Sequence, residues 1–97
     1  MNFDSELVSP FLERLSLTLQ GFGEGERAAV LEAVDSTNPD QERELHFELV
    51  HNGELIPLMI RIVMDDANAP DLQFIAPTNV VQAITELYGR FSQERRI

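Results

Sequence analysis

The sequence predicts an α+β fold: two N-terminal helices, a three-stranded antiparallel β-meander and a C-terminal helix, in the order ααβββα. Three observations predict it. Apolar residues recur at helical spacing over residues 7–22 and again over 80–91. Between these segments, Asn52-Gly53 joins two runs in which apolar and polar residues alternate, the strongest short-range signal for a hairpin. A third apolar run follows too soon for a crossover connection, so it pairs antiparallel with its neighbour.

The first helix has Asp4 or Ser5 as its cap and Leu7, Phe11, Leu15, Thr18, Leu19 and Phe22 as its stripe. Pro10 is acceptable if Ser9 caps a helix starting there; otherwise it bends a longer one. Gly21 ends the helix in a left-handed conformation. A second helix runs from Glu24 to Val34, with Ala28, Val30, Leu31 and Val34 as its apolar side and Glu24 and Glu26 at its positive end. "DSTNPDQ", Asp35 to Gln41, is a loop by composition.

The hairpin lies within the stretch Arg43 to Asp66. A two-residue turn pairs positions that sum to 105, so Leu45 opposes Ile60, Phe47 opposes Leu58 and Leu49 opposes Ile56 on one face. Glu44 then opposes Arg61, His46 opposes Met59, Glu48 opposes Pro57 and Val50 opposes Leu55 on the other. A slip of one residue would scramble that sorting. "DDANAPD", Asp65 to Asp71, is a loop, and Leu72 to Ala76 forms the third strand. Asn79 with Gln82 has the spacing of a capping box for the last helix. That helix buries Val80, Ile84, Leu87 and Phe91.

Ninety-seven residues make a single small acidic domain, residues 1–97. Cysteine is absent, which excludes disulfides, thiolate metal sites and thiol catalysis. No apolar run approaches the roughly 18 residues of a membrane span, and the acidic N-terminus does not read as a secretory signal. The expectation is a cytoplasmic protein that engages neither membrane nor nucleic acid directly. Seventeen acids face seven arginines, with no lysine, for a formal charge of −10. Such a field favours basic partners. Residues 90–97 alone carry excess positive charge, which suits a helix C-terminus.

Candidate catalytic and metal sites each meet a simpler explanation. In "HFELVH", His46 and His51 differ by five positions and so project from opposite faces of a strand. His46 and Glu48 share a face, but no nucleophile or orienting group accompanies them. The expectation is that His51 caps the turn and His46 packs on Met59. "GFGEGE" has phosphate-cradle glycines but no preceding strand and no lysine, and its glutamates repel phosphate; it reads as a flexible turn between helices. Asp65, Asp66, Asn68 and Asp71 could hold a hard cation, yet lack the central glycine and distal glutamate of an EF-hand loop. No cofactor, metal or catalytic residue is expected.

What stands out is the second face of the hairpin. It carries Val50, Leu55, Pro57, Met59 and Val63 among Glu44, His46, Glu48 and Arg61, more contiguous apolar surface than a monomer usually exposes. Three helices could cover both faces of the sheet; otherwise a second copy or another protein does. Two sheet edges offer a further route by strand addition.

At the level of architecture alone, a small acidic helix–β-meander–helix domain that dimerises resembles bacterial secretion chaperones and toxin-neutralising immunity proteins. That resemblance implies a protein that binds a partner and catalyses nothing. The leading expectation is therefore a non-catalytic adaptor, chaperone or inhibitor, homodimeric through the sheet face and binding a basic or apolar partner surface. Its interface residues would be Val50, Leu55, Met59 and Val63, with Glu44, His46 and Glu48 as rim. The alternatives are an acidic nucleic-acid mimic and a small metal-assisted hydrolase using His46, Glu48 or the aspartate loop.

Overall fold

The computed structural model describes residues 1–51, 53–65 and 69–95. A one-turn 3₁₀ segment, Ser5–Leu7, leads into α1 (Val8–Thr18), followed by α2 (Glu24–Ser36), β1 (Glu42–His51), β2 (Glu54–Met64), β3 (Pro70–Ile75) and α3 (Thr78–Glu94). The strands form one antiparallel sheet in the order β1-β2-β3. This is the expected ααβββα arrangement.

The hairpin register is the one the sequence predicts, with Leu45 opposite Ile60, Phe47 opposite Leu58 and Val50 opposite Leu55. Gly53 takes the positive φ of 79° that a tight turn demands; Asn52 lies outside the described residues. β3 begins at Pro70, two residues earlier than expected, because Pro70 pairs with Met64 and Asp71 with Val63. Asp71 is therefore a strand residue, not part of the loop.

All three helices pack on one face. Leu49, Leu58, Ile60, Ile62, Met64 and Leu72 are buried there beneath Phe11, Leu12, Leu15, Val30, Ile84 and Phe91. The alternative in which helices cover both faces does not occur. Phe11 is the hub: the rings of Phe3, Phe74, Tyr88 and Phe91 surround it with centroids 4.9–6.3 Å away. α3 buries Val80, Ile84, Leu87 and Phe91, as its spacing predicts.

Several local expectations are corrected. In α1, Thr18 is exposed and bonds back to the Arg14 carbonyl, while Val8 and Leu12 join the core. Pro10 sits in the first turn of α1, where no intrahelical N–H bond is lost. Asp4 precedes the 3₁₀ turn without a side-chain cap. α2 runs to Ser36 and turns Val30, Ala33 and Val34 inward; Ala28 is exposed, being out of phase with the 30/33/34/37 row that ends on buried Thr37. Glu26 Oε1 accepts from the Gly23 N–H at 2.8 Å, the half of a capping box available to a glycine cap. α3 starts at Thr78, with Val80 and Val81 donating to the Pro77 carbonyl, so Asn79 lies inside the helix and does not cap it. The glycine-rich turn is anchored, with Phe22 buried and edge-on to the Phe47 ring.

Gly21 has a φ of 89°, and a Cβ there would lie 2.9 Å from the Val50 backbone nitrogen. Only glycine serves at this contact between the α1–α2 turn and β1.

The first three residues form an unforeseen element. Leu72 N–H donates to Met1 O at 2.8 Å and Phe3 N–H to Pro70 O at 3.0 Å, so Met1–Phe3 runs along the outer edge of β3. The Met1 ammonium donates to Asp71 Oδ1 at 2.8 Å. Burial raises the Asp71 carboxyl's pKa. The hydrogen bonds from Met1 and Gln73 and the ammonium charge outweigh that effect, and the net pKa lies below the ordinary 3.8.

Four outcomes check this description by chemical denaturation. Gly21→Ala is expected to destabilise by about 1–3 kcal/mol from its left-handed backbone and close contact, whereas Gly89→Ala, inside α3 with open space around it, stabilises by roughly 0.5–1 kcal/mol. Leu58→Ala loses about 2–5 kcal/mol, as a fully buried leucine does. Because the Asp71 pKa is depressed on folding, its contribution is complete above the unfolded value and fades as pH falls below about 4; Asp71→Asn should flatten that part of the stability-against-pH curve.

Candidate functional site

With the helices on one side, the opposite face of the sheet is open. Strand parity and register place on it Glu42, Glu44, His46, Glu48 and Val50 from β1, Leu55, Pro57, Met59, Arg61 and Val63 from β2, and Asp71, Gln73 and Ile75 from β3. The sequence-predicted interface residues are therefore brought together on one surface. Ile75 and Gln73 were missed. Their signal was available, since extending the alternation into the third run sets Ile75 opposite Met59.

This face has two zones. At its hairpin end, Val50, Leu55 and Ile75 are 51, 66 and 47% exposed, and Pro57 is exposed beside them. Met59 and Val63 are only half-exposed, sheltered by the side chains of flanking strands. Toward the other end the face is charged. Arg61 donates to Glu44 Oε1 at 2.9 Å, and the His46 Nε2 lies 3.8 Å from the other Glu44 oxygen. Among the described residues, four carboxylates (Glu42, Glu44, Glu48 and Asp71) share the face with the guanidinium of Arg61 and the Met1 ammonium bound at Asp71, so it is negative overall.

Strand lengths shape the surface. β3 ends at Ile75 opposite Met59, while the hairpin continues to Glu54. Where β3 stops, a shallow depression of about 750 Å³ opens, lined by His46, Glu48, Pro57, Met59, Ile75 and Pro77. Met64 donates to Gln41 O, so even-numbered residues of β2 direct their backbone toward β1 and odd-numbered ones toward β3. Pro57 is odd and lies beyond the end of β3. Its missing N–H therefore breaks no ladder bond, and it blunts this stub of edge.

The charged residues singled out from the sequence form no catalytic or metal-binding array among the described residues. His46 is exposed, with Nε2 3.8 Å from Glu44 Oε2, and it stands opposite Met59 in the register. The side chain of His51, with its expected role at the turn, lies outside the described residues, as do Asp66 and Asn68. Of the aspartate loop, Asp65 Oδ1 accepts from Ala69 N–H, and Asp71 is engaged by Met1 and Gln73. Among the described residues no three His, Asp or Glu side chains converge as a metal site requires. No helix among them is long and apolar enough to cross a membrane.

Compared with known protein families, curated proteins and solved structures, the chain matches none.

Because Leu55 and Val50 face solvent, Leu55→Ser and Val50→Ser are expected to change stability by less than about 0.5 kcal/mol each. Urea denaturation checks this.

Proposed function

We propose that this domain is a non-catalytic protein-binding module whose partner docks on the open face of the sheet. The observation that carries this reading is the exposed apolar zone of Val50, Leu55, Pro57 and Ile75, set on a face the chain's own helices leave bare. Scattered apolar residues on a surface carry no meaning, but a contiguous group on a flat sheet is characteristic of an interface. Apolar contact at the hairpin end supplies affinity, and the carboxylates beside it steer and select.

Charge argues for a basic partner over a second copy. Two copies stacked through this face would double the excess of Glu42, Glu44, Glu48 and Asp71 over Arg61 and the Met1 ammonium. A partner carrying lysine or arginine around an apolar anchor meets no such repulsion. An adaptor, a chaperone for a basic client and an inhibitor of a basic protein all fit this description.

The test compares three baits in affinity capture: the native protein, Leu55→Glu and Leu17→Glu. Leu17 is 86% exposed on α1, remote from the sheet's open face, and serves as the control. The expected outcome is a partner retained by native protein and by Leu17→Glu but lost with Leu55→Glu. Equal retention by all three baits overturns the reading. Light scattering is expected to show a monomer at low salt.

A further inference from the structure

We propose that the outer edge of β1, from Glu42 to Glu48, accepts an extended segment of the partner as a fourth strand, and that this segment alternates basic with apolar residues. The inference rests on the protein-binding reading above and adds to it the route and chemistry of the occupant.

The two edges of the sheet are not equivalent. Met1–Phe3 closes the outer edge of β3 with backbone bonds to Pro70 and Leu72. Among the described residues nothing comparable lies along β1. Its odd-numbered residues face β2, so the N–H and C=O groups of Glu42, Glu44, His46 and Glu48 point outward. Among the described residues these groups have no backbone partner. The α1–α2 turn meets the strand's backbone at its far end, where Gly21 abuts Leu49 and Val50, and Phe22 packs edge-on to the Phe47 ring on the core face. A stretch of about seven residues is left as an open ladder.

The side chains along this edge specify what would pair with it. Outward-pointing backbone belongs to residues whose side chains stand on the open face, and these are Glu42, Glu44, His46 and Glu48. An added strand's side chains on that face would stand beside carboxylates, where arginine or lysine is favoured and acids are repelled. Its alternate side chains would lie beside exposed Arg43 at one end and then beside Leu45 and Phe47, both half-buried on the core face, where apolar groups extend the core. One strand thus reads as basic, apolar, basic, apolar.

The same residues exclude the chain itself. Antiparallel pairing of two β1 strands centred on His46 sets Glu44 opposite Glu48 twice. Charged edges are a known guard against self-pairing; here every charge on the open-face side of the edge is negative, so the guard is permeable to a basic strand.

The test uses two nine-residue peptides of identical composition. In one, arginine and valine alternate; in the other, the arginines are grouped at one end. Binding is read by fluorescence anisotropy at low salt, and amide exchange by NMR. The alternating peptide should bind at least about tenfold more tightly than the grouped one and protect the amides of Glu44, His46 and Glu48. His46→Pro removes an outward N–H without breaking a β1–β2 bond, and it should weaken binding about tenfold. Should that variant unfold, the double variant Glu44→Arg/Glu48→Arg, which changes only exposed side chains, should show the same loss.

Equal binding of the two peptides with unprotected edge amides overturns the inference, since charge alone then suffices. Binding that survives in the edge variants but is lost in Leu55→Glu places the contact on the open face; that overturns the edge inference and leaves the protein-binding reading intact. Protection of the same amides without peptide, rising with protein concentration, gives the edge to a second copy and also overturns it.

Discussion

The pairing of β1 with β2 in one particular register is the constraint on which the rest of the molecule depends. It sets Leu45, Phe47, Leu49, Ile56, Leu58, Ile60, Ile62 and Met64 on a common side. Seventeen to eighteen ångströms of strand, roughly five residues, is the usual length in a globular protein; these two strands have ten and eleven. The long apolar row they create is wide enough to seat all three helices. Shifting the pairing by one position would divide that row between two faces and leave no side apolar enough to hold them.

One-sided packing has a cost that the chain does not cover internally. Each helix brings one apolar stripe, and each stripe is used on the same side of the sheet. A three-stranded sheet with one dry face needs its other face to be polar or occupied. Here it is mixed: Glu44 and Arg61 bond to each other near the root of the hairpin, while Val50 and Leu55 face solvent at its tip. Acidic groups stand beside the apolar ones on this surface. They give it a sign, and so a preference among the surfaces that could cover it.

Much of this was legible in the sequence, for identifiable reasons. A two-residue turn with glycine sets register arithmetically, so every β1–β2 pair could be written down before the strands were seen. The α3 stripe of Val80, Ile84, Leu87 and Phe91 was legible because four large apolar residues at helical spacing admit one phase. Alanine does not have that property, which is why Ala28 and Ala33 were exchanged. Met1–Phe3 was invisible because three residues show no period and their partners, Pro70 to Leu72, are distant in the chain. The side on which the helices would pack was illegible too: an apolar stripe says that a helix has a buried face, not which face of a sheet will bury it. For the candidate site, parity gave membership of the open face, while the end of β3 at Ile75, which shapes the depression, depended on Pro57 and on loop geometry that composition does not encode.

The strap formed by Met1–Phe3 makes the molecule a terminator of lateral growth. Fibrils and runaway sheets need a free flank on each side of every subunit, so that each newcomer presents the next landing place. Here one flank is already occupied by the chain's own beginning, and the short stub of β2 beyond β3 is spoiled by Pro57. The carboxylates of Glu42, Glu44 and Glu48 stand along the remaining flank, that of β1, and resist a second copy there. Strand addition to this sheet is therefore confined to one side, because Met1–Phe3 holds the other.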